Sequence, residues 1–314
     1  EMLALVLSRI AIMVPNVIVL TFLLFTSVTS FLGTPAAIML GENASPQSIA
    51  DLNAKLGFDQ PILSRYWNWI SAALSGDLGR SYSTQQPVAQ MIADALPLTL
   101  ELASWAILIA FLGATLINSA TFMKKLVDRL TAAISIVGIT VPNFFLGLLL
   151  IYLFSVQLRW LPTTGWSPWS RGAGQHLIHM ILPIITLTTF YFSSFTLVYK
   201  AEYQSVKGNL YIQAARSKGL SEARISYRHI LPNSILPLIT YAGLSLGQLV
   251  GGAVVTETVF SMPGMGRLLV EAISSRDFPV MLSVGMVIIV GVMILNLVAD
   301  ITYSLVNPLV RTSA

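Results

Sequence analysis

No cysteine occurs anywhere in the sequence, which excludes disulfides and thiolate metal sites and leaves the redox compartment open. Charge is scarce as well, with only 10% Asp, Glu, Lys and Arg against 55% apolar residues. Such a chain cannot keep a water-facing surface wet, and its mean hydropathy of +0.75 says the same. No Gly-x-x-x-x-Gly-Lys-Ser/Thr run is present, and Gly264-Met265-Gly266 is no substitute, so the chain carries no phosphate loop of its own. No basic stripe is interleaved with exposed aromatics, so the net charge of +4 does not point to nucleic acid. Period-2 alternation in segments of about ten residues, the mark of a membrane barrel, is also missing.

What is there instead is long apolar runs. Crossing about 30 Å of hydrocarbon takes about 20 apolar residues as a helix, and six stretches qualify, near 9–31, 98–120, 133–157, 181–199, 235–256 and 281–304. The expected fold is all-α, a polytopic membrane protein with six transmembrane helices in a single domain over 1–314. The first run is longer than the h-region of a signal peptide (about 7–15 residues) and no small-x-small cleavage site follows, so it reads as a retained helix.

Lys and Arg near span ends resist translocation. Placing the N-terminus inside puts Arg9, Lys124, Lys125, Arg129, Lys200, Lys207, Arg216, Lys218, Arg224, Arg228 and Arg311 in the cytoplasm, eleven of the eighteen. Lys55, Arg65, Arg80, Arg159, Arg171, Arg267 and Arg276 fall outside, in loops that also hold acids, so both termini are expected to be cytoplasmic. The outer loop 32–96 carries two short amphipathic helices opened by Pro46 and Pro61, followed by a glycine turn at Gly76-Asp77-Leu78-Gly79-Arg80-Ser81. Trp67, Trp69, Trp160, Trp166 and Trp169, five of the six, lie near outer boundaries and read as an aromatic belt rather than a substrate-stacking platform.

The inner loop 205–232 is a basic helix, turn and helix between two spans. Asn209 is placed to cap a helix over Leu210 to Lys218, in which Ala214 and Ala215 give a slim face for close approach by another protein. Gly219 ends that helix, and Ser221 with Glu222 starts the next, which runs through Arg224 and Arg228 to Ile230-Leu231-Pro232.

The order Gln213-Ala214-Ala215-Arg216, Gly219-Leu220-Ser221 and Ile230-Leu231-Pro232 resembles the EAA loop of permease subunits in bacterial ABC importers, with Gln213 where that family has Glu. The likeness extends through Leu56-Gly57-Phe58-Asp59-Gln60-Pro61, Gly76-Asp77-Leu78-Gly79, Leu96-Pro97-Leu98-Thr99-Leu100-Glu101-Leu102, Val141-Pro142-Asn143-Phe144, Trp160-Leu161-Pro162 and Phe260-Ser261-Met262-Pro263-Gly264-Met265-Gly266-Arg267-Leu268. These motifs are similar to the peptide, opine and nickel branch. The resemblance implies a type I importer permease fold, a bacterial cytoplasmic (inner) membrane, and cargo that is small peptide, opine, nickel or metal chelate. It implies a coupling loop, 205–232, that docks on an ATP-binding subunit, and ATP and Mg²⁺ held by two such subunits rather than by this chain. It also implies a second homologous permease or a second copy of this one, and an extracytoplasmic substrate-binding protein, with Asp77, Pro263, Gly264, Gly266 and Arg267 as the residues that face it. ATP-driven closure would open the path outward by alternating access, and hydrolysis would reset it. Gln213 keeps hydrogen-bonding capacity but loses a carboxylate. Asn307-Pro308-Leu309 replaces the family's usual Asp-Pro-Arg, which puts a terminal salt bridge in doubt.

Ionisable groups at membrane depth usually face a partner or a cavity. Asp300, with Asn296 one turn earlier, and Glu101 qualify, either as lining of the translocation path or as bonds between helices. Pro142 breaks the backbone ladder of the third span and Asn143 can satisfy a freed group, so that a kink either shapes the path or serves packing. Gly247, Gly251 and Gly252 permit close helix approach, within the chain or between subunits. His176 and His179 stand i, i+3, but two ligands without a carboxylate are incomplete, so no metal site is expected. A secondary transporter would show internal repeats and midplane charges, and an intramembrane enzyme a convergent catalytic set; the first signs are thin and the second absent.

Overall fold

The computed structural model describes residues 2–31, 36, 40, 44–55, 57–121 and 125–306. Leu56, Lys124, Asn307-Pro308-Leu309 and Arg311 lie outside the described residues. The described chain is helical, apart from an isolated antiparallel bridge between Arg80 and Pro87. In chain order the helices are α1 (Met2–Phe31), α2 (Pro46–Lys55), α3 (Ile62–Leu74), α4 (Val88–Thr121), α5 (Lys125–Thr140) and α6 (Asn143–Leu150). After them come α7 (Ala173–Lys207), α8 (Leu210–Ser217), α9 (Glu222–Ile225), α10 (Leu231–Gly252), α11 (Val254–Val259), α12 (Met265–Ser274) and α13 (Phe278–Val306).

Five of the expected spans are present as helices long and apolar enough to cross a membrane: Leu7–Ser30, Val88–Ser119, Ala173–Lys207, Glu222–Gly252 and Phe278–Thr302. The sixth, expected as one kinked run over 133–157, is instead two limbs, Asp128–Thr140 and Asn143–Gln157, bent by 105°. Proline lacks the donor for the helical ladder and excludes the preceding residue from helical backbone, so the break falls at Val141-Pro142. The second limb continues α6 as a π-helix, Ile151–Gln157. The loop expected over 32–96 ends earlier, because α4 starts at Val88 and keeps Pro97 within it.

Helix pairing centres on α4 and α7. Leu102, Ala106, Ala110 and Ala114 recur every fourth residue on α4 and are buried, as are Leu187, Tyr191, Phe195 and Tyr199 on α7. A ridge of small residues thus meets a ridge of large ones, the arrangement that lets i±4 rows interlock. Polar links run along the same seam: Asn118 Nδ2 donates to Thr196 Oγ1 (3.2 Å) and the Ser119 and Tyr199 hydroxyls lie 3.0 Å apart. Outward-facing Leu108, Leu112 and Leu116 on α4 and Ile136 on α5 are exposed, as expected of a surface solvated by lipid.

The remaining spans close around this pair. α5 is tied to α7 by Lys200, whose Nζ lies 2.8 Å from Asp128 Oδ1 and 2.9 Å from Thr131 Oγ1. α13 packs on α1 and on α10. Gly247 on α10 faces α13 so closely that an added Cβ would stand 2.9 Å from Asn296 Oδ1 and 3.4 Å from the Val292 carbonyl. Gly251 makes only ordinary contacts and Gly252 faces open space, so of these three glycines Gly247 makes the close approach, one turn after Gly243, where an added Cβ would stand 2.7 Å from the Ala299 Cβ.

Overpacking a tight contact costs about 1–3 kcal/mol. Gly247→Val is therefore expected to lower the unfolding temperature of the detergent-purified protein, whereas Gly252→Val leaves it within error; equal melting curves for the two variants would refute the close α10–α13 contact.

Candidate functional site

The helix-turn-helix after α7 forms as its turn chemistry predicts, with two differences. Asn209 sits at the N-cap of α8 in extended backbone, but its side chain makes no capping bond. Instead its carbonyl receives the Ile212 and Gln213 amides at 3.1 and 3.3 Å. The helix stops at Ser217, and Gly219 follows in left-handed backbone, φ +76°, with its amide on the Arg216 carbonyl at 2.9 Å. That conformation is cheap only for glycine. Ser221 caps α9, its Oγ accepting the Arg224 amide at 3.4 Å. Across the turn Arg216 clasps the Glu222 carboxylate through Nε and through Nη2 (3.2 Å). The chain then passes through a π turn, Ser226–Ile230, into α10, with Pro232 in the first turn where a missing donor is tolerated.

The second difference concerns which face is outward. Ala214 and Ala215 do not share one slim exposed surface: Ala214 is exposed, while Ala215 is buried with Ile212, Ile225 and Ile230 in the cluster that holds Phe195 and Tyr199. The outward face of α8 is Leu210, 81% exposed, with Tyr211, Gln213 and Ala214. Sequence reading passed over Leu210 and Tyr211, although two large apolar residues opening a loop helix are a signal of their own. Gly219 is exposed with open space around it, and Leu220 packs against the core.

At the opposite end of the spans, Gly264 and Gly266 are buried rather than directed at a partner. They wrap the carboxylate of Glu257, which is itself fully buried on α11. Glu257 Oε2 accepts the Gly266 amide (2.7 Å) and the Arg267 amide (3.1 Å), and Oε1 accepts the Thr99 hydroxyl (2.6 Å). Thr99 Oγ1 in turn receives the Met265 amide at 2.8 Å. A Cβ on Gly264 would collide with the Glu257 carboxylate, and one on Gly266 with Val254, so both glycines are needed for close approach. Burial pushes the Glu257 carboxyl up, against the opposing pull of these donors. Glu257 was missed because it falls just past the fifth apolar run, where an acid reads as a loop residue. Pro263 is exposed, and Arg267 is half-buried and paired with Glu271 at 2.7 Å.

Asp77 is exposed and its Oδ1 accepts the Gly79 amide at 2.9 Å, fixing the glycine turn. The loop beyond it closes on Asp277, a buried residue just before α13. Asp277 accepts the Ser81 hydroxyl, the Tyr82 and Ser83 amides (3.1 Å each) and the Ser83 hydroxyl (2.8 Å). Burial alone would raise its carboxyl, but these donors outweigh burial and hold it below the usual 3.8.

The ionisable groups within the spans pair with one another. Glu101 Oε1 lies 3.0 Å from His176 Nε2, whose Nδ1 is 2.8 Å from the Ser167 carbonyl. His176 therefore does meet a carboxylate, one brought by α4, and stacks on Trp169 at 4.0 Å. His179 instead bonds the Gln175 carbonyl at 2.7 Å. Among the described residues no group of three or more His, Asp and Glu could hold a metal ion. Asp300 pairs with Arg9 of α1 at 3.1 Å, a bond between helices, and Asn296 stands against Gly247 of α10. Pro142 and Asn143 mark the 105° break itself. Of the interfacial tryptophans, Trp67, Trp160 and Trp169 are exposed, whereas Trp69 packs on Phe25 and Trp166 is partly buried.

A coupling-type loop at one end and a glycine cradle at the other agree with what comparison with known proteins finds. Residues 106–312 match the family described as binding-protein-dependent transport system inner membrane component, and residues 2–103 match its N-terminal region. The chain belongs to this family. It is 36% identical over 314 residues to the glutathione transport system permease protein GsiC of Escherichia coli O6:H1, with 99% of each chain covered. The identity and coverage are the same for the GsiC proteins of Escherichia coli K12 and Salmonella typhimurium LT2. A solved chain described as the crystal structure of an amino acid ABC transporter with histidines superposes with a TM-score of 0.54 at 17% identity, covering 68% of this chain and 93% of that one. It supports the type I importer permease fold. This permease is thus a multi-pass inner-membrane component of an ABC importer and not an enzyme, which sets aside the secondary-transporter reading.

Two outcomes test the end of the permease that holds Glu257 and Asp277. Replacing Glu257 by Gln turns an amide NH₂ onto backbone donors, and unmet buried groups cost about 1–3 kcal/mol each. Glu257→Gln is expected to lower the melting temperature and the folded yield, which thermal unfolding in detergent would reveal. For Asp277, a lowered folded pKa means that its contribution is present above 3.8 and is lost as pH falls through the folded value. Wild-type loop 77–87 should therefore become protease-sensitive on acidification, while Asp277→Asn is sensitive already at neutral pH; a loop equally protected in both would contradict this.

Proposed function

We propose that the permease is driven through α8 and its following turn, the segment 205–232, which seats in a groove of an ATP-binding subunit on the cytoplasmic side. The observation that carries this reading is a helix held by one face and bare on the other. Ile212 and Ala215 anchor α8 in the core, while Leu210, Tyr211, Gln213 and Ala214 are left outward. Arg216, Gly219, Ser221, Ile230 and Pro232 maintain the angle of that element rather than contact the partner. Both termini are then cytoplasmic, and loop 32–96 lies outside together with α12.

The assembly comprises this chain with a second homologous permease or a second copy, two ATP-binding subunits that hold ATP and Mg²⁺, and an extracytoplasmic binding protein. Pro263, Arg267 and Asp77, which are accessible, are the residues offered to that binding protein. Cargo is a small peptide of the glutathione kind, a reading supported by relatives named for glutathione transport. None of those relatives is named for nickel or opines. A ligand shifts a two-state path only by favouring one arrangement, so ATP closure at α8 opens the path to the outside and hydrolysis reverses it.

The test is cargo-stimulated ATPase activity of the reconstituted complex. Leu210→Asp and Ala214→Glu, both on the outward face, are expected to cut stimulation about tenfold or more, the loss typical of a contact hot spot, with the melting temperature unchanged. Ala215→Glu should instead reduce folded yield, because that side chain is buried. Full stimulation in the outward-face variants would reject α8 as the coupling element, and uptake of labelled glutathione against nickel distinguishes the cargo.

A further inference from the structure

Between α1, α3, the turn at Gly79 and the start of α13 lies a cavity of about 470 Å³. At about 30 Å³ per liquid water, it has room for a hydrated polar group well beyond a single water. Its lining is cationic and polar, with Lys55, Gln60, Arg65, Asn68 and Tyr82. Asp77, the acid in that lining, has Oδ1 turned onto the Gly79 amide. The neighbouring Asp277 carboxylate is filled by four donors from Ser81, Tyr82 and Ser83.

Arg65 is the unusual member. Its guanidinium carbon stands 4.1 Å from the centre of the Phe58 ring and 5.7 Å from that of Phe25. Its Nη2 is buried and has no hydrogen-bond partner among the described residues, and no carboxylate there forms an ion pair with it. Burial draws its pKa below the ordinary arginine value, yet arginine stays charged. Arg65 is partly buried, and a guanidinium with a buried, unmet donor favours an anion beside it.

Position indicates which anion. The cavity floor is formed by Phe25 and Thr29 at the end of α1 and by Phe278 and Leu282 at the start of α13, so it sits at a membrane boundary. The helix that carries Arg65 buries Tyr66 and exposes Leu63 (66%), Trp67 (68%) and Leu74 (83%). Such an amphipathic helix with exposed indole lies in the interfacial plane, at the depth of lipid phosphates. The planar fork of arginine matches phosphate oxygens in pairs, and lysine adds a point charge.

We propose that this cavity is a phosphate-binding site, occupied by the headgroup of a phospholipid or by free phosphate, with Arg65 as the principal ligand and Lys55 as the second charge. Bound phosphate would tie α3 to the outer ends of α1 and α13, next to the turn that Asp77 organises.

The test uses the complete transporter, assembled with its partner subunits and stripped of lipid in detergent. Tryptophan emission is followed during titration with phosphatidylglycerol, with diacylglycerol, which lacks phosphate, with inorganic phosphate and with acetate; Trp69 lines the cavity and Trp69→Phe identifies its share of the signal. Saturable binding of phosphatidylglycerol but not diacylglycerol is expected. It should weaken about tenfold or more in Arg65→Met, as for loss of a charged hydrogen bond, and less in Lys55→Ala. Lys55 is exposed, so that variant reads the site even if Arg65→Met fails to assemble. A matching response to inorganic phosphate identifies the free ion as a sufficient ligand; its absence identifies the lipid. Equal binding of diacylglycerol, a response to acetate alone, or wild-type affinity in both variants overturns the site.

Discussion

Inside hydrocarbon, burying an apolar side chain against another helix gains little over leaving it in lipid, so a bundle has to choose its neighbours by close packing and by polar links. The permease places its charged polar links toward the two ends of the spans. At the end near α8, Arg9 meets Asp300 and Lys200 meets Asp128. At the other end, Glu101 meets His176, Thr99 meets Glu257, and Ser81 meets Asp277. Each joins elements far apart in sequence, and between them small and aromatic ridges such as Ala106, Ala110, Phe195 and Tyr199 pack closely. Between the ends, the Ser194 and Tyr241 hydroxyls, 2.7 Å apart, and the Thr188 hydroxyl, which donates to the Ala106 carbonyl at 3.4 Å, add polar links across the same helices.

That division bears on transport. α8 is not a loose appendage, because Ile212 and Ala215 enter the same core cluster as Ile225 and Ile230 below α10 and Phe195 and Tyr199 on α7. The Arg216–Glu222 clasp and the left-handed Gly219 keep α8 at a set angle to α9. A load applied to the outward face would therefore reach α7 and α10 rather than be absorbed in the turn. At the far end the cradle around Glu257 joins α11 and α12 to α4.

How legible was this in the sequence? The membrane class, five of the six spans, the two short outer helices and the turn chemistry at Gly219 and Ser221 were all readable, since they follow from local apolar length, proline and capping preferences. The third span was misread as one kinked helix, because a proline shows where a ladder can break but not by what angle. Gly264 and Gly266 looked like an exposed motif; their purpose is visible only once Glu257 is seen inside it. Ala214 and Ala215 are adjacent in sequence, but neighbours on a helix point about 100° apart, and only the packing of Ile212 shows which one faces in.

By itself, then, the sequence determined that the chain lives in a bilayer, roughly where it crosses, and the turn at Gly219 and Ser221, because these depend on transfer free energy and backbone preference within a few residues. Tertiary structure alone decided which charges are partners and which face of α8 is bare. It also decided that Asp300 is an anchor for Arg9 and that Glu257 is a hub. Those outcomes depend on contacts between residues separated by tens to hundreds of positions, and no local pattern encodes the direction in which a side chain will find its partner.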